Sequence, residues 1–191
     1  MQGKNHVALA LAVPLAGAMV GGPLPPTAAA WAGLVIGSLA PDIDGGGKIA
    51  YLGDLLPRGI TPAPLRAGLN GIGKTISDII RAIFGHRKAF HWPIIGLTLL
   101  GLGVLLGKVW LMWFGIGYVL HIAGDSLTKS GVPLFGPLWT ADISFTPMVT
   151  GKFVESAFGV MLWLFVSWRI ALIVKSGYVM SLLYRFGSAW L

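Results

Sequence analysis

At 191 residues, with 55% hydrophobic and only 11% charged side chains and a mean hydropathy of +0.77, the chain is too apolar for an ordinary water-soluble domain. It reads as one all-α, membrane-embedded domain over residues 1–191, a polytopic helical bundle of about five membrane helices plus interfacial amphipathic helices. The formal charge of +7 fits the Lys and Arg that membrane proteins keep in cytoplasmic loops, so no specific nucleic-acid binding is expected, and the lack of cysteine excludes disulfides and thiolate metal sites.

The first predicted element is an apolar helix over residues 7–22, interrupted only by Pro14. Lys4 ahead of it, with Ala16-Gly-Ala18 as a crude cleavage site, has the outline of a signal peptide. A short membrane helix is expected instead, because cleavage would discard His6. Gly21-Gly-Pro-Leu-Pro-Pro26 turns the chain back, and a second apolar helix over residues 27–40 is stopped by Pro41, which pushes the residue before it out of the helical region. Asp42 and Asp44 follow at once and share a side if the segment is extended.

Residues 41–91 are expected to form a cytoplasmic loop rich in Gly, Pro and basic side chains. Within it Leu65, Leu69, Ile72, Ile76, Ile79, Ile80 and Ile83 recur at helical spacing, opposite Arg66, Asn70, Lys74, Asp78 and Arg81. That pattern predicts an amphipathic helix over about 65–84, lying in the membrane interface or packed on the bundle. Gly68-Leu-Asn-Gly-Ile-Gly-Lys-Thr75 formally matches a phosphate-binding loop, but Thr61-Pro-Ala-Pro-Leu65 before it is no buried strand, so no nucleotide site is expected.

His86-Arg87 and His91 lead into a third membrane helix over about 92–107, with Pro93 in its first turn, and a short hairpin at Lys108 leads to a fourth over about 109–128. A Pro- and Gly-rich loop follows. A fifth apolar helix covers 153–174, with Arg169 near its far end able to snorkel, and an interfacial tail helix is expected over about 178–191.

The fourth helix carries no full charge from Val109 to Ala123, then ends in His121 and Asp125, four apart and therefore on one face. Both groups are costly to bury unpaired, which points to a bound metal or a buried polar pair. If the helices alternate in direction, His6, Asp42, Asp44, His86, His91, His121 and Asp125 all fall on one side of the membrane. With them go Lys4, the seven basic residues of the long loop, Lys129 and Lys152, ten of the fourteen Lys and Arg, which places that side in the cytoplasm. Seven nitrogen and oxygen donors exceed what one tetrahedral zinc needs and suit two metals about 3.5 to 4 Å apart.

Pro41-Asp-Ile-Asp44, His86-Arg87 with His91, His121-x-x-x-Asp125, and Leu127-Thr128 with Gly131 together resemble the motifs of the YdjM-like inner-membrane metal-dependent hydrolases of bacteria, over the stretch from about His6 to Pro137. That family is distantly similar to the zinc-dependent phospholipase C and P1 nuclease group. The resemblance implies that His121 and Asp125 are metal ligands, completed by Asp44, His6 and one or both of His86 and His91. The expected cofactor is a divalent metal, zinc or manganese, one or two ions, that acidifies a water toward a pKa of about 7. Asp42 is then the expected general base, and Arg87, with Lys88, the expected holder of an anionic substrate group.

A membrane-surface site beside an amphipathic helix favours membrane lipid as partner, and a lipid or lipid-linked phosphoester as substrate. Two other classes stay open: a structural or accessory protein in which the His/Asp cluster is a buried polar knot, and a metal transporter, whose ionisable groups belong near the bilayer midplane.

Overall fold

The computed structural model describes residues 1–45, 61–84, 89–175 and 177. Among these, six α-helices and three short 3-10 turns make up the regular structure, and no strand is present beyond two isolated bridges, Val132 with Ile143 and Phe135 with Trp139. The all-helical expectation holds.

Helix α1 spans Gly3–Gly17 and runs on as a 3-10 turn, Ala18–Val20. It begins four residues earlier than the hydropathy suggested, so His6 lies inside its first turns and not ahead of it. Gly21 then adopts φ of 82°, the left-handed conformation that glycine takes without steric cost, and ends the helix. Helix α2, Ala28–Gly37, starts at Thr27, whose side-chain oxygen accepts the Ala30 N–H at 3.1 Å.

The second helix was expected to reach residue 40. Instead it stops at Gly37, and Pro41 sits in a 3-10 turn, Ala40–Gly45. Asp42 and Asp44 therefore lie on a 3-10 turn and not on the extended segment assumed for them.

Helix α3, Ala63–Phe84, coincides with the predicted amphipathic segment and absorbs the phosphate-loop lookalike: Gly68 to Thr75 are helical, and Lys74 pairs with Asp78 at 2.5 Å on an exposed face. A 3-10 turn at Ala89–His91 precedes α4, Pro93–Leu105, which starts on Pro93 as expected. Gly107 turns the chain with φ of 62° into α5, Val109–Ser126. The long α6 spans Phe153–Lys175. The expected tail helix over 178–191 lies outside the described residues.

Helix α5 is the axis of the bundle, with α2 along one flank and α4 along the other. Glycines let these backbones touch. A Cβ at Gly117 would sit 2.1 Å from the Leu34 carbonyl oxygen, one at Gly37 2.1 Å from that of Phe114, and one at Gly115 2.4 Å from the Leu100 nitrogen. Helices in lipid gain little from hydrophobicity alone, and small residues that permit such close approach supply the packing instead. Helix α1 packs on α6 and against α5, with Asn5 filling the space over Gly159.

The apolar core runs through Ala10, Ala30, Leu34 and Trp113, then through Ala40, Tyr118, Ile122 and Val132. Outward, Val104, Leu105, Val160, Met161, Leu164 and Ile170 are exposed. Among the described residues two segments are long and apolar enough to cross a membrane, Gly3–Val20 and Phe153–Lys175. Helices α2 and α4 are apolar but only 10 and 13 residues long.

Candidate metal centre

Three elements meet at one end of the bundle and bring four donors between them. The 3-10 turn after α2 brings Asp42, the turn before α4 brings His91, and the last turns of α5 bring His121 and Asp125. One ligand atom from each of these four residues lies within 4.8 Å of the other three. The first turns of α1 add His6 beside them, its ring stacked on that of His121 with centroids 3.7 Å apart and planes 9° apart.

The local structure aims these side chains. His121 Nδ1 donates to the Ser38 carbonyl at 2.8 Å, and a carbonyl only accepts, so the proton sits on Nδ1 and the Nε2 lone pair points into the cluster. That carbonyl is available because α2 has ended at Gly37, and Ser38 is its C-terminal cap. The Tyr118 hydroxyl donates to the Phe90 carbonyl and so pins the turn that carries His91.

Asp125 faces two ways. Its Oδ1 takes the Met1 amino group and His6 Nε2, the latter at 3.2 Å. Its Oδ2 faces His121 Nε2 at 3.4 Å and His91 Nε2 at 3.5 Å, while Asp42 Oδ1 lies 3.7 Å from each of those nitrogens.

These four separations decide what the cluster can do. They are longer than ordinary N–H···O hydrogen bonds. They are close to the separation of neighbouring donors around one cation, about 3.4 Å for a metal–ligand distance of about 2.05 Å in a tetrahedron, and all four donors lie within 4.8 Å of one another. His121 Nε2 is fully buried with no hydrogen-bond partner, an arrangement that is costly unless a cation or proton uses the lone pair. Two imidazoles and two carboxylates are a suitable donor set for a divalent cation.

The centre is closed except on one side. The side chains of His6, His91 and His121 are at most 2% exposed and that of Asp125 is 9%, whereas Asp42 is 37% exposed and marks the mouth. Burial opposes the charge on Asp42, yet the neighbouring His91 imidazole, with His121 and His6 beyond it, holds the carboxyl below its usual range.

Of the residues expected at the site, Asp42, His91, His121 and Asp125 come together and His6 stands against them. His6 engages the outer oxygen of Asp125, the place of a residue that orients a ligand. Asp42, expected as general base, is one of the four converging donors. Asp44 lies on the 3-10 turn, its side chain outside the described residues, and His86 and Arg87 fall wholly outside them.

Sequence reasoning missed Glu155. Fully buried in the first turn of α6, it accepts the Gln2 N–H at 2.5 Å, the Asn5 Nδ2 at 2.9 Å and the Gly151 N–H at 2.5 Å. It thereby satisfies the N–H of Gln2, the residue that opens α1 without a side-chain cap of its own, and holds the turn that carries His6. Its only signal was an acid opening an otherwise apolar run.

Comparison with curated proteins and with solved structures gives no match. The family model described as YdjM inner membrane protein matches residues 1–191, and the chain therefore belongs to the YdjM inner membrane protein family.

Proposed function

We propose that this inner membrane protein is a metal-dependent hydrolase acting on a phosphoester, lipid-linked or otherwise borne at the membrane surface, with its centre on the cytoplasmic face. Asp42, His91, His121 and Asp125 would hold one divalent cation, zinc by its preferred geometry. The observation that carries this reading is the buried His121 Nε2, made a lone-pair donor by the Ser38 carbonyl and facing carboxylate oxygens of Asp125 and Asp42 at 3.4 and 3.7 Å.

When bound, such a cation supplies Lewis acidity toward a phosphoryl oxygen and toward water. The chain's own residues do the rest. Ser38 keeps the His121 tautomer, while His6 and the Met1 amine occupy Oδ1 of Asp125, so that only Oδ2 faces inward. Asp42, alone in reaching solvent, is placed to accept a proton from incoming water at its second carboxylate oxygen. Packing around the three histidines excludes further water from the inner side of the centre.

A second reading has an observation behind it: the His6–His121 stack and the Met1–Asp125 ion pair would also hold α1 against α5 in a purely structural polar knot. Elemental analysis of detergent-purified protein separates the two. About one zinc per chain is expected in the wild type, with the metal lost in His121→Ala and Asp125→Ala while circular dichroism stays helical. A folded wild type that takes up no zinc, manganese or other divalent metal on titration would overturn the hydrolase reading and leave the knot.

A further inference from the structure

The loop between α5 and α6, residues 127–152, does not project away from the bundle. Its first half folds back: Val132, 3% exposed, and Leu134 pack with Tyr118 and Ile122, which lie one to two helical turns before the end of α5. Its two halves are joined by paired hydrogen bonds between Val132 and Ile143, at 3.1 and 2.9 Å. Its second half is tied to the last residue of α5 by Phe145 N–H to the Ser126 carbonyl at 2.8 Å, and to the loop's own start by the Ser144 hydroxyl to the Thr128 carbonyl at 2.6 Å. The loop is thus a fixed element.

At its tip the chemistry reverses. Phe135 and Trp139 are each 57% exposed with their rings stacked 6.0 Å apart, and Leu138 between them is 97% exposed. The tip lies beside the metal centre, since the Gly136 backbone rests on the indole of Trp92, where an added Cβ would meet the ring at 2.1 Å, and Trp92 directly follows His91.

The occupant of this surface follows from its surroundings. Phe145, Phe153 and Val154 are exposed as well, as are Val160, Met161 and Leu164 along α6. That helix is long and apolar enough to cross the bilayer, in a chain of an inner membrane protein family. Lys129 and Lys152, both exposed, stand at the two ends of the loop, where they match the negative headgroups of an anionic leaflet. Exposed tryptophan with apolar neighbours, on a loop flanked by lysines, is the composition of a membrane-interface anchor.

We propose that the loop tip formed by Phe135, Leu138 and Trp139 inserts into the lipid leaflet on the same side as the metal centre, as a fixed rim beside Trp92 and His91. The centre then lies at headgroup depth, which makes a lipid headgroup the class of ligand it meets. That consequence rests on the metal-centre reading; the insertion itself does not.

The chain has no cysteine, so single-cysteine spin labels can be placed directly. Leu138→Cys carries a nitroxide in the full chain, reconstituted in phosphatidylethanolamine and phosphatidylglycerol vesicles, with Lys129→Cys as the headgroup-level reference. Power-saturation electron paramagnetic resonance compares collision with oxygen, which concentrates in acyl chains, and with a water-soluble nickel chelate. The label at 138 is expected to be oxygen-dominated, at a depth of about 5–10 Å below the headgroups, and that at 129 nickel-dominated.

Trp139→Cys repeats the measurement from the facing side of the tip. Nickel-dominated relaxation at both tip positions would put the loop in water and overturn the proposal. Shielding from both relaxants at both positions would mean a protein contact, such as a second copy of this chain, and would overturn it equally. Neither outcome depends on metal content or activity, so a failure here is distinguishable from a failure of the hydrolase reading.

Discussion

Glu155 shows how much of a buried centre rests on residues that never touch it. Its two oxygens gather three N–H groups from Gln2, Asn5 and Gly151, and the turn so fixed carries His6 to the outer oxygen of Asp125. Each buried donor left without an acceptor costs about 1–3 kcal/mol. Glu155→Ala is therefore expected to lower the thermal unfolding temperature markedly, and Glu155→Gln, which keeps one acceptor oxygen, to fall between it and wild type. Nano-format scanning fluorimetry in detergent checks the order, and an unchanged midpoint in Glu155→Ala would remove the cap from the account. The His121–Asp125 pair was legible because four-residue spacing on a helix declares a shared face. Glu155 was not, since its partners Gln2 and Asn5 lie 150 or more residues away in the chain, and the Ser38 carbonyl that sets the His121 tautomer has no side-chain signature at all.

Among the elements, α5 needs bare backbone on two flanks. A methyl at Gly117 would meet the Leu34 carbonyl at 2.1 Å, and backbone cannot yield as a flexible side chain does. Gly117→Ala must therefore push α2 outward, carrying Ser38 away from His121 Nδ1. Loss of stability of about 1–3 kcal/mol from overpacking and weaker zinc binding are expected together, by unfolding and by competition with a chelating dye. Gly101 is the control, because a Cβ there meets nothing within 4 Å. Gly101→Ala should be neutral or more stable by up to about 1 kcal/mol.

At this scale the sequence was readable wherever hydropathy alone decides. The amphipathic segment predicted for about 65–84 appears as Ala63–Phe84, and the Pro93 start holds. It misled where one residue of turn geometry matters. The apolar composition of residues 38–40 looked helical, yet the chain turns there, and the pairing of Asp42 with Asp44 was argued for a strand that the 3-10 turn excludes. The phosphate-loop lookalike is settled by its helical state. Lys74→Ala should leave ATP binding undetectable by calorimetry, and should cost only a few tenths of a kcal/mol, as exposed ion pairs do.

The whole molecule poses a problem of thickness. The hydrocarbon core is about 30 Å deep, whereas α4, with 13 residues, rises about 20 Å and α2, with 10, about 15 Å. A five-span bundle therefore requires local thinning of the bilayer around the short helices; the alternative is a hairpin of α4 and α5 whose Lys108 turn stops short of the far surface. Thinning costs only fractions of a kcal/mol per ångström. Over the roughly 10 Å by which α4 falls short that amounts to several kcal/mol, comparable with the about 2.5–3.5 kcal/mol that a lysine held inside hydrocarbon costs on insertion scales, so the two arrangements lie close in energy. Sided labelling in spheroplasts decides this. Lys108→Cys is expected to react with a membrane-impermeant maleimide from outside, and Lys129→Cys only after permeabilisation, which would put the centre on the cytoplasmic face. Labelling of residue 129 from outside would place the centre in the periplasm. A residue 108 reactive from neither side would make α4 and α5 a re-entrant hairpin, leaving α1 and α6 as the two crossings that length and composition alone support.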